Sequence, residues 1–352
     1  MRAFLYRHSI NLIFVSLIGS AVLLIVHPRF FQQFDFRVEL PASAQTFKTM
    51  LLGIVLETLP FLLLGVLVSS FLQLFVSENA IRRFIPRHPL PGILFGCLLG
   101  IMFPVCECGL IPIVRRLLAK GMPLYIGIVF ILVGPVVNPV VFAATYTAFR
   151  GQPDILYARM GLALLVGAVI GAALYLLVRN NPLREEQPSA ADPGPETHGH
   201  SHGHSHPHSQ SPFGGSKWLS MMDHAGSELF DMGKYVMIGS ILTAAIQSYV
   251  PRESLVGIGQ GAVSAPLFMM GFAYILSICS TSDAFVASSF ASTFTPVSLV
   301  AFLVFGPMLD FKSTLMLLAV FQKRFVFLLA VLIAACVLAG AYLAGWLLFS
   351  PS

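Results

Sequence analysis

One apolar pattern, interrupted in the same unusual way, occurs twice in this chain. The first copy runs from Pro104 to Pro139 (PVCECGLIPIVRRLLAKGMPLYIGIVFILVGPVVNP) and the second from Ser277 to Phe311 (SICSTSDAFVASSFASTFTPVSLVAFLVFGPMLDF). Cys106 and Cys279 are 279 − 106 = 173 residues apart, as are Pro123 and Pro296. Gly134-Pro135-x-x-Asn138 meets Gly306-Pro307-x-x-Asp310 at a spacing of 310 − 138 = 172. Further upstream, Glu57, Gly65, Gln73 and Val76 pair with Asp231, Gly239, Gln247 and Val250, each at an offset of 174. Offsets that hold within a block and drift by one between blocks are what a duplicated unit with single deletions leaves. A chain of this kind folds as two like halves, and breaks at matching places in both halves point to a solute site near the bilayer midplane.

The interruptions do not fit lipid-facing helix. Pro104, Pro135 and Pro307 remove backbone donors, and an acid such as Glu107 costs roughly 3 kcal/mol to insert at the centre of a span. Read singly, Cys106-Glu107-Cys108 after Pro104 is compatible with a kinked helix carrying small buried thiols. Its recurrence as Cys279-Ser280-Thr281-Ser282-Asp283 favours a protected cavity.

The setting is a membrane. With 56% hydrophobic and 11% charged residues, the chain departs far from a soluble globule, in which charged residues approach ~25%. Its net charge of +5 is spread over loop ends, which fits the positive-inside rule and excludes a nucleic-acid-binding tract. Five cysteines, four of them in apolar segments, give no secreted disulfide framework.

Residues 1–47 read as an N-terminal signal anchor and an external loop. Arg2 and Arg7 precede an apolar core from Ile10 to Val26, longer than the ~7–15 residues of a cleaved leader. Residues 48–178 form a first membrane repeat. Its opening span, Met50 to Val76, contains Glu57, a candidate for proton coupling or an interfacial acid. Basic residues on both flanks (Arg82, Arg83, Arg87; Arg115, Arg116, Lys120) make Leu90 to Val114 a re-entrant segment. Leu124 to Phe149 then crosses with a break at Gly134-Pro135, and Ile155 to Val178 returns.

Residues 179–216 form a disordered, His-rich cytoplasmic linker carrying His198, His200, His202, His204, His206 and His208. Alternating imidazoles on a flexible strand chelate Zn²⁺ or Ni²⁺. Such a tract lacks fixed geometry, so buffering or sensing is the expected role, and no cofactor is required. Residues 217–352 form the second repeat. An interfacial helix over Lys217–Asp231 leads to a crossing at Lys234–Val250, and Asp231 is the second proton-coupling candidate. The loops matching the basic loops of the first half hold only Arg252, so the halves lie in opposite orientations. Gln322-Lys323-Arg324 is then cytoplasmic and Phe325 to Phe349 exits. The fold class expected is an all-α polytopic protein of the bacterial inner membrane, built from two inverted-topology repeats with broken and re-entrant helices.

The pattern Pro104-Val105-Cys106-Glu107-Cys108-Gly109, the break at Gly134-Pro135-x-x-Asn138-Pro139, Cys279-Ser280-Thr281-Ser282-Asp283 and the break at Gly306-Pro307-x-x-Asp310 resemble the bacterial predicted-permease family that includes the ArsP-type organoarsenical efflux permeases. The likeness runs from Met50 to Phe349, apart from the linker. It implies export of trivalent organoarsenicals such as methylarsenite, with Cys106 and Cys108 as contacts. The histidine tract is not part of that pattern and keeps a divalent-metal substrate open.

The chemistry points the same way without the family. Soft thiolates select soft centres. Cys106, Cys108 and a pseudosymmetric Cys279 supply two or three sulfurs, while Glu107, Asn138, Ser280, Asp283 and Asp310 add polar ligands. Lys312, opposite Val140 in the first half, is a counter-ion for Asp310. Three readings stand: a permease for soft, thiol-reactive solutes, a divalent-metal transporter, and a membrane thiol oxidoreductase. The absence of a GxxxxGK[ST] motif argues against ATP-driven pumping by this chain alone.

The loop charges also predict topology. An alkaline phosphatase fused after Ser352 is expected to be active and one fused within the histidine tract inactive; an inactive phosphatase after Ser352 overturns the opposed orientation.

Overall fold

A computed structural model of the chain describes residues 42–75, 88–178, 217–249 and 264–349, with isolated residues between 77 and 86 and at 182–183. The expected signal anchor, the histidine tract and Arg252 lie outside the described residues. The described residues form helices α1 (Ala42–Phe75), α2 (Pro89–Met102), α3 (Glu107–Ala119), α4 (Leu124–Val133), α5 (Pro139–Ala148) and α6 (Pro153–Leu177). These are followed by α7 (Lys217–Tyr249), α8 (Ser264–Leu276), α9 (Ser282–Ser289), α10 (Pro296–Met308), α11 (Phe311–Val320) and α12 (Lys323–Leu348). Each helix thus has a counterpart six places along.

Among the described residues, five segments are long and apolar enough to cross a membrane by length and composition: Gln45–Phe75, Pro153–Leu177, Ala225–Ser248, Pro296–Val320 and Lys323–Leu348. By contrast α2, with 14 residues, and α3, with 13, rise about 20 Å each, short of a ~30 Å hydrocarbon core.

Glycine contacts give the helix directions. Gly92 of α2 faces Tyr125 and Ile126, Gly96 faces Val129, and Gly100 faces Val133 and Gly134, so α2 and α4 run the same way. On α3 the order reverses: Leu110 reaches Gly134 while Val114 and Leu118 reach Gly127. The chain therefore climbs α2, turns through residues 103–106 level with the end of α4, and descends α3. The second half repeats the arrangement. Phe268 stacks on Phe294, Phe272 lies against Phe302 and Ala273 meets Gly306, so α8 and α10 run the same way up to a tip at 277–281.

Packing recurs with the same six-helix offset. α2 packs on α4 as α8 does on α10, α4 on α6 as α10 on α12, and α3 on α11 as α9 on α5. The corresponding helices α6 and α12 touch each other and run antiparallel. Leu162 meets Gly340, while beyond the other end of α6 the Pro182 carbonyl accepts the Gln322 N–H at 3.1 Å. Arg115, Arg116, Lys120, Lys323 and Arg324 consequently gather at one end of the bundle. The core lies along α4, α10 and the facing stripes of α6 and α12, where Val129, Val133, Val166, Ile170, Val300, Leu303, Leu329 and Ile333 are fully buried.

Several boundaries differ from expectation. α7 is one 33-residue helix, so the interfacial segment and the crossing are continuous. An apolar stripe including Leu229, Met232 and Val236 carries it through the polar positions without a break. Gly134 and Pro135 end α4, whereas Gly306 and Pro307 sit inside the last turn of α10 and the interruption falls at Leu309–Asp310. Pro307 is tolerated there because the chain leaves the helix within two residues.

Where helices touch through backbone, glycine is required. A Cβ on Gly65 of α1 would collide with the Gly109 carbonyl of α3. Gly65→Val is expected to destabilise the protein by about 1–3 kcal/mol through overpacking, read as a fall in the thermal unfolding midpoint in detergent.

Candidate functional site

The two tips are held open by caps. Asn138 precedes Pro139 at the start of α5; its Oδ1 accepts the Val141 N–H at 2.9 Å and its Nδ2 donates to the Gly134 carbonyl at 3.0 Å. Asp310 does the same work for α11. One carboxylate oxygen accepts the Ser313 N–H at 2.6 Å and the other accepts the Ser277 hydroxyl at 2.7 Å, while the Ser313 hydroxyl accepts the Asp310 N–H. Both residues satisfy donors that the helix interruption strips of partners. Asn138 and Asp310 are thus repeat-equivalent N-caps, with their oxygens already engaged.

The tips differ chemically. Pro104 begins the first and Ser277, its counterpart, has a left-handed φ of 48° in the second. That conformation is uncommon for a residue with a Cβ. Two bonds hold it: the Ser277 hydroxyl donates to Asp310 and accepts the Lys312 N–H at 3.3 Å.

At the first tip Cys106 is the N-cap of α3 and half-buried, while Glu107 and Cys108 are buried. Cys106 and Cys108 flank Glu107 in sequence, and Cys108 Sγ stands 4.0 Å from Glu107 Oε1. The second Glu107 oxygen has no hydrogen-bond partner. Lys312 reaches into the same region; its ammonium lies within electrostatic reach of Asp310, Cys108, Glu107 and Glu57. Glu57, from α1, accepts the Ser282 hydroxyl at 3.5 Å. Cys279 accepts the Thr281 hydroxyl at 3.6 Å and is within electrostatic reach of Glu107 and Glu57. Five elements thus bring Glu57, Cys106, Glu107, Cys108, Cys279 and Lys312 to one neighbourhood. Among the described residues, no group of three or more His, Cys, Asp or Glu side chains is set to hold a metal ion.

Ser280 and Asp283 are occupied by a residue that sequence reasoning missed. Arg159 of α6 is completely buried. It donates to Asp283 Oδ2 at 2.8 Å, to the Ser280 carbonyl at 3.1 Å and to the Thr145 hydroxyl of α5 at 2.9 Å. It ties α5, α6 and the second tip together across the two halves. Arg159 stands among apolar residues from Ile155 to Val178, and a lone cation inside such a span was the available signal.

Asp231, the repeat partner of Glu57, is not in the neighbourhood; it is exposed and pairs with Lys234 at 3.1 Å. One helical turn earlier, Glu228 is the buried acid of α7. It accepts the Ser69 hydroxyl of α1 at 2.8 Å and lies 3.5 Å from Arg116 Nε. Cys97 and Cys336 sit within α2 and α12, outside the two tips.

Removing one partner of the Arg159–Asp283 pair leaves an uncompensated buried charge. Arg159→Met or Asp283→Leu is expected to cost about 3–5 kcal/mol, and the double variant no more than either single change. Unfolding midpoints of the three variants in detergent check this.

A family described as a predicted permease (ArsP_1) matches residues 43–346. The chain is similar to the UPF0718 protein YcgR of Bacillus subtilis, 47% identical over 292 residues that cover 83% of this chain and 94% of the relative. It is also similar to a putative two-component membrane permease complex subunit of Streptococcus mutans, 36% identical over 287 residues that cover 82% of this chain and 91% of the relative. No solved structure matches.

Proposed function

Since the chain belongs to the predicted-permease family and is a multi-pass bacterial membrane protein, we propose that it is a transporter, not an enzyme, exporting soft, thiol-reactive solutes such as trivalent organoarsenicals. The observation that carries this reading is the meeting of the two broken tips. Glu107, between Cys106 and Cys108, stands there within electrostatic reach of Cys106 and of Cys279 from the other half. Thiols are the ligands that a soft centre selects over oxygen. Glu57, Glu107 and Lys312 supply charge that changes partners as a solute enters, which suits a site that exchanges protons for cargo.

An inverted arrangement of the halves underlies the mechanism. The antiparallel contact of α6 with α12 and the six-helix offset in packing support it. With halves so related, rocking one against the other exposes a fixed central site to each side in turn. The gathering of Arg115, Arg116, Lys120, Lys323 and Arg324 at one end marks that end as cytoplasmic by the positive-inside rule. Asn138 and Asp310 then act as walls of the site that keep the broken helices capped. The name of the streptococcal relative describes a subunit of a two-component complex, which supports a reading in which this chain too works with a second component. The histidine tract serves as a Zn²⁺ or Ni²⁺ reservoir outside the transport site.

A resistance panel in a sensitive bacterial host tests the reading. Expression is expected to protect against methylarsenite and not against Zn²⁺ or Ni²⁺, and Cys106→Ser with Cys108→Ser is expected to abolish protection at unchanged membrane levels. Cys97→Ser and Cys336→Ser are expected to remain active. Protection confined to Zn²⁺ or Ni²⁺ would replace this substrate class with divalent metals.

A further inference from the structure

Three helices converge on the side of the thiol tip that faces the basic end. α1 descends from Glu57 through Gly65, Ser69 and Gln73. α3 descends beside it, with Gly109 against the Phe61 carbonyl and the Gly65 backbone, and Arg116 about 13 Å along the helix from Glu107. α7 comes from the other half, with Gly239 against Lys312 and Glu228 further toward the basic end. The seam between the three helices, which a separation of α7 would open as a cleft, runs from the basic end toward Cys106, Glu107 and Cys108.

That seam is crossed by one polar contact between the halves. Glu228, 3% exposed, accepts the Ser69 hydroxyl at 2.8 Å, and its other oxygen lies 3.5 Å from Arg116 Nε. Neither that oxygen nor Arg116 Nε makes a hydrogen bond, and the fully buried Ser70 hydroxyl beside Ser69 has none. A second tie lies just beyond, where Lys120 Nζ donates to the Gln73 carbonyl at 2.8 Å. On the other elements packed against α7, α8 has no charged residue and α11 has only Lys312, level with Gly239. Asp231 and Lys234 are exposed and pair with each other.

A buried ion pair with unfilled bonding capacity on both partners recovers less of its desolvation cost than a fully bonded one. It is therefore a contact that can be exchanged. The Arg159 clamp also leaves Arg159 Nε and Asp283 Oδ1 without a partner, but its guanidinium makes three hydrogen bonds where Arg116 Nε makes none to Glu228, and it stands on the other side of the tips. Of these two ion pairs between the halves, Arg159–Asp283 and Arg116–Glu228, the second is the weaker and lies on the basic side.

We propose that Ser69, Arg116 and Glu228 form a latch that closes the cytoplasmic path to the thiol cluster. The proposal rests on the reading of that cluster as the solute site. Releasing Glu228 from α1 and α3 frees α7 to move with the second half and opens the cleft from the basic end.

The test follows the thiols, so it needs no transported substrate. Chains carrying Cys97→Ala and Cys336→Ala are prepared in inside-out and right-side-out vesicles and exposed to a charged, membrane-impermeant methanethiosulfonate. Modification of Cys106, Cys108 and Cys279 is followed by mass spectrometry. Glu228→Gln and Arg116→Gln are each expected to speed modification in inside-out vesicles about tenfold, as for a closed state losing its differential stabilisation, with right-side-out rates unchanged. The reversed pair Arg116→Glu/Glu228→Arg is expected to return the rate to within about threefold of the parent, the signature of direct coupling. Unchanged rates in both single variants overturn the latch. Acceleration from both faces also overturns it, since that reports loosening of the whole fold. Where a glutamine variant does not reach the membrane, Ser69→Ala and Arg116→Lys decide in the same way. Failure of the solute reading shows separately, as undiminished methylarsenite resistance in the Cys106→Ser/Cys108→Ser variant.

Discussion

Backbone hydrogen bonding inside an apolar solvent governs this structure. A helix that stops at the depth of the bilayer leaves donors and carbonyls with no water to meet them, so every interruption must be closed by the protein itself. The structure has such interruptions at 103–106, 134–138, 277–281 and 309–310, and each closes differently. Asn138 and Asp310 cap the helices that follow them. Asp310 also secures Ser277 in its left-handed conformation, which lets the second tip turn without the proline that opens the first. Replacing either cap with an apolar residue would leave the tip beside it unsupported, and the thiols stand on those tips.

Charge obeys the same constraint. Arg159 is completely buried, and the fold tolerates it because three acceptors surround it. Those partners are Thr145 of α5 and Ser280 and Asp283 of the second tip, so the cost of burial is offset only when the halves are docked. Buried ion pairs often add little stability over apolar packing, and their established use is to specify one arrangement among several. Here the arrangement specified is the position of the second tip relative to α5 and α6.

How much of this was legible in the sequence follows from the physics of each signal. The duplication was legible because a run containing Pro, Cys and Glu is rare in apolar sequence, and two copies at nearly fixed spacing leave little alternative. The convergence of Glu57 with the CEC tip was legible only as a candidate, since an acid in a span is expensive wherever it points. Asp231 illustrates the limit of repeat equivalence. It matches Glu57 in register, but the repeat-equivalent glycines meet different partners, Gly65 of α1 against Gly109 of α3 and Gly239 of α7 against Lys312 of α11, and with that change of neighbours Asp231 lies at the surface and Glu228 inside. Symmetry in sequence predicts symmetry in backbone, while side-chain roles follow the neighbours. Arg159 has no repeat partner, so a search guided by pairs passed over it.

The asymmetry of the tips is what separates a solute site from a pair of hinges. If both tips carried the same residues, the site would present identical ligands to either side and nothing would distinguish entry from exit. Instead the first tip offers adjacent thiols and a buried carboxylate with an unpartnered oxygen. The second offers one thiol beside hydroxyls, and its carboxylate is held by Arg159. Lys312 strengthens the difference, because its counterpart Val140 is an exposed apolar residue. The Lys312 ammonium lies within electrostatic reach of Glu57, Glu107 and Asp310 at once. In the proposed mechanism, that shared cation lets charge be redistributed among fixed groups as a reactive solute passes from one half to the other.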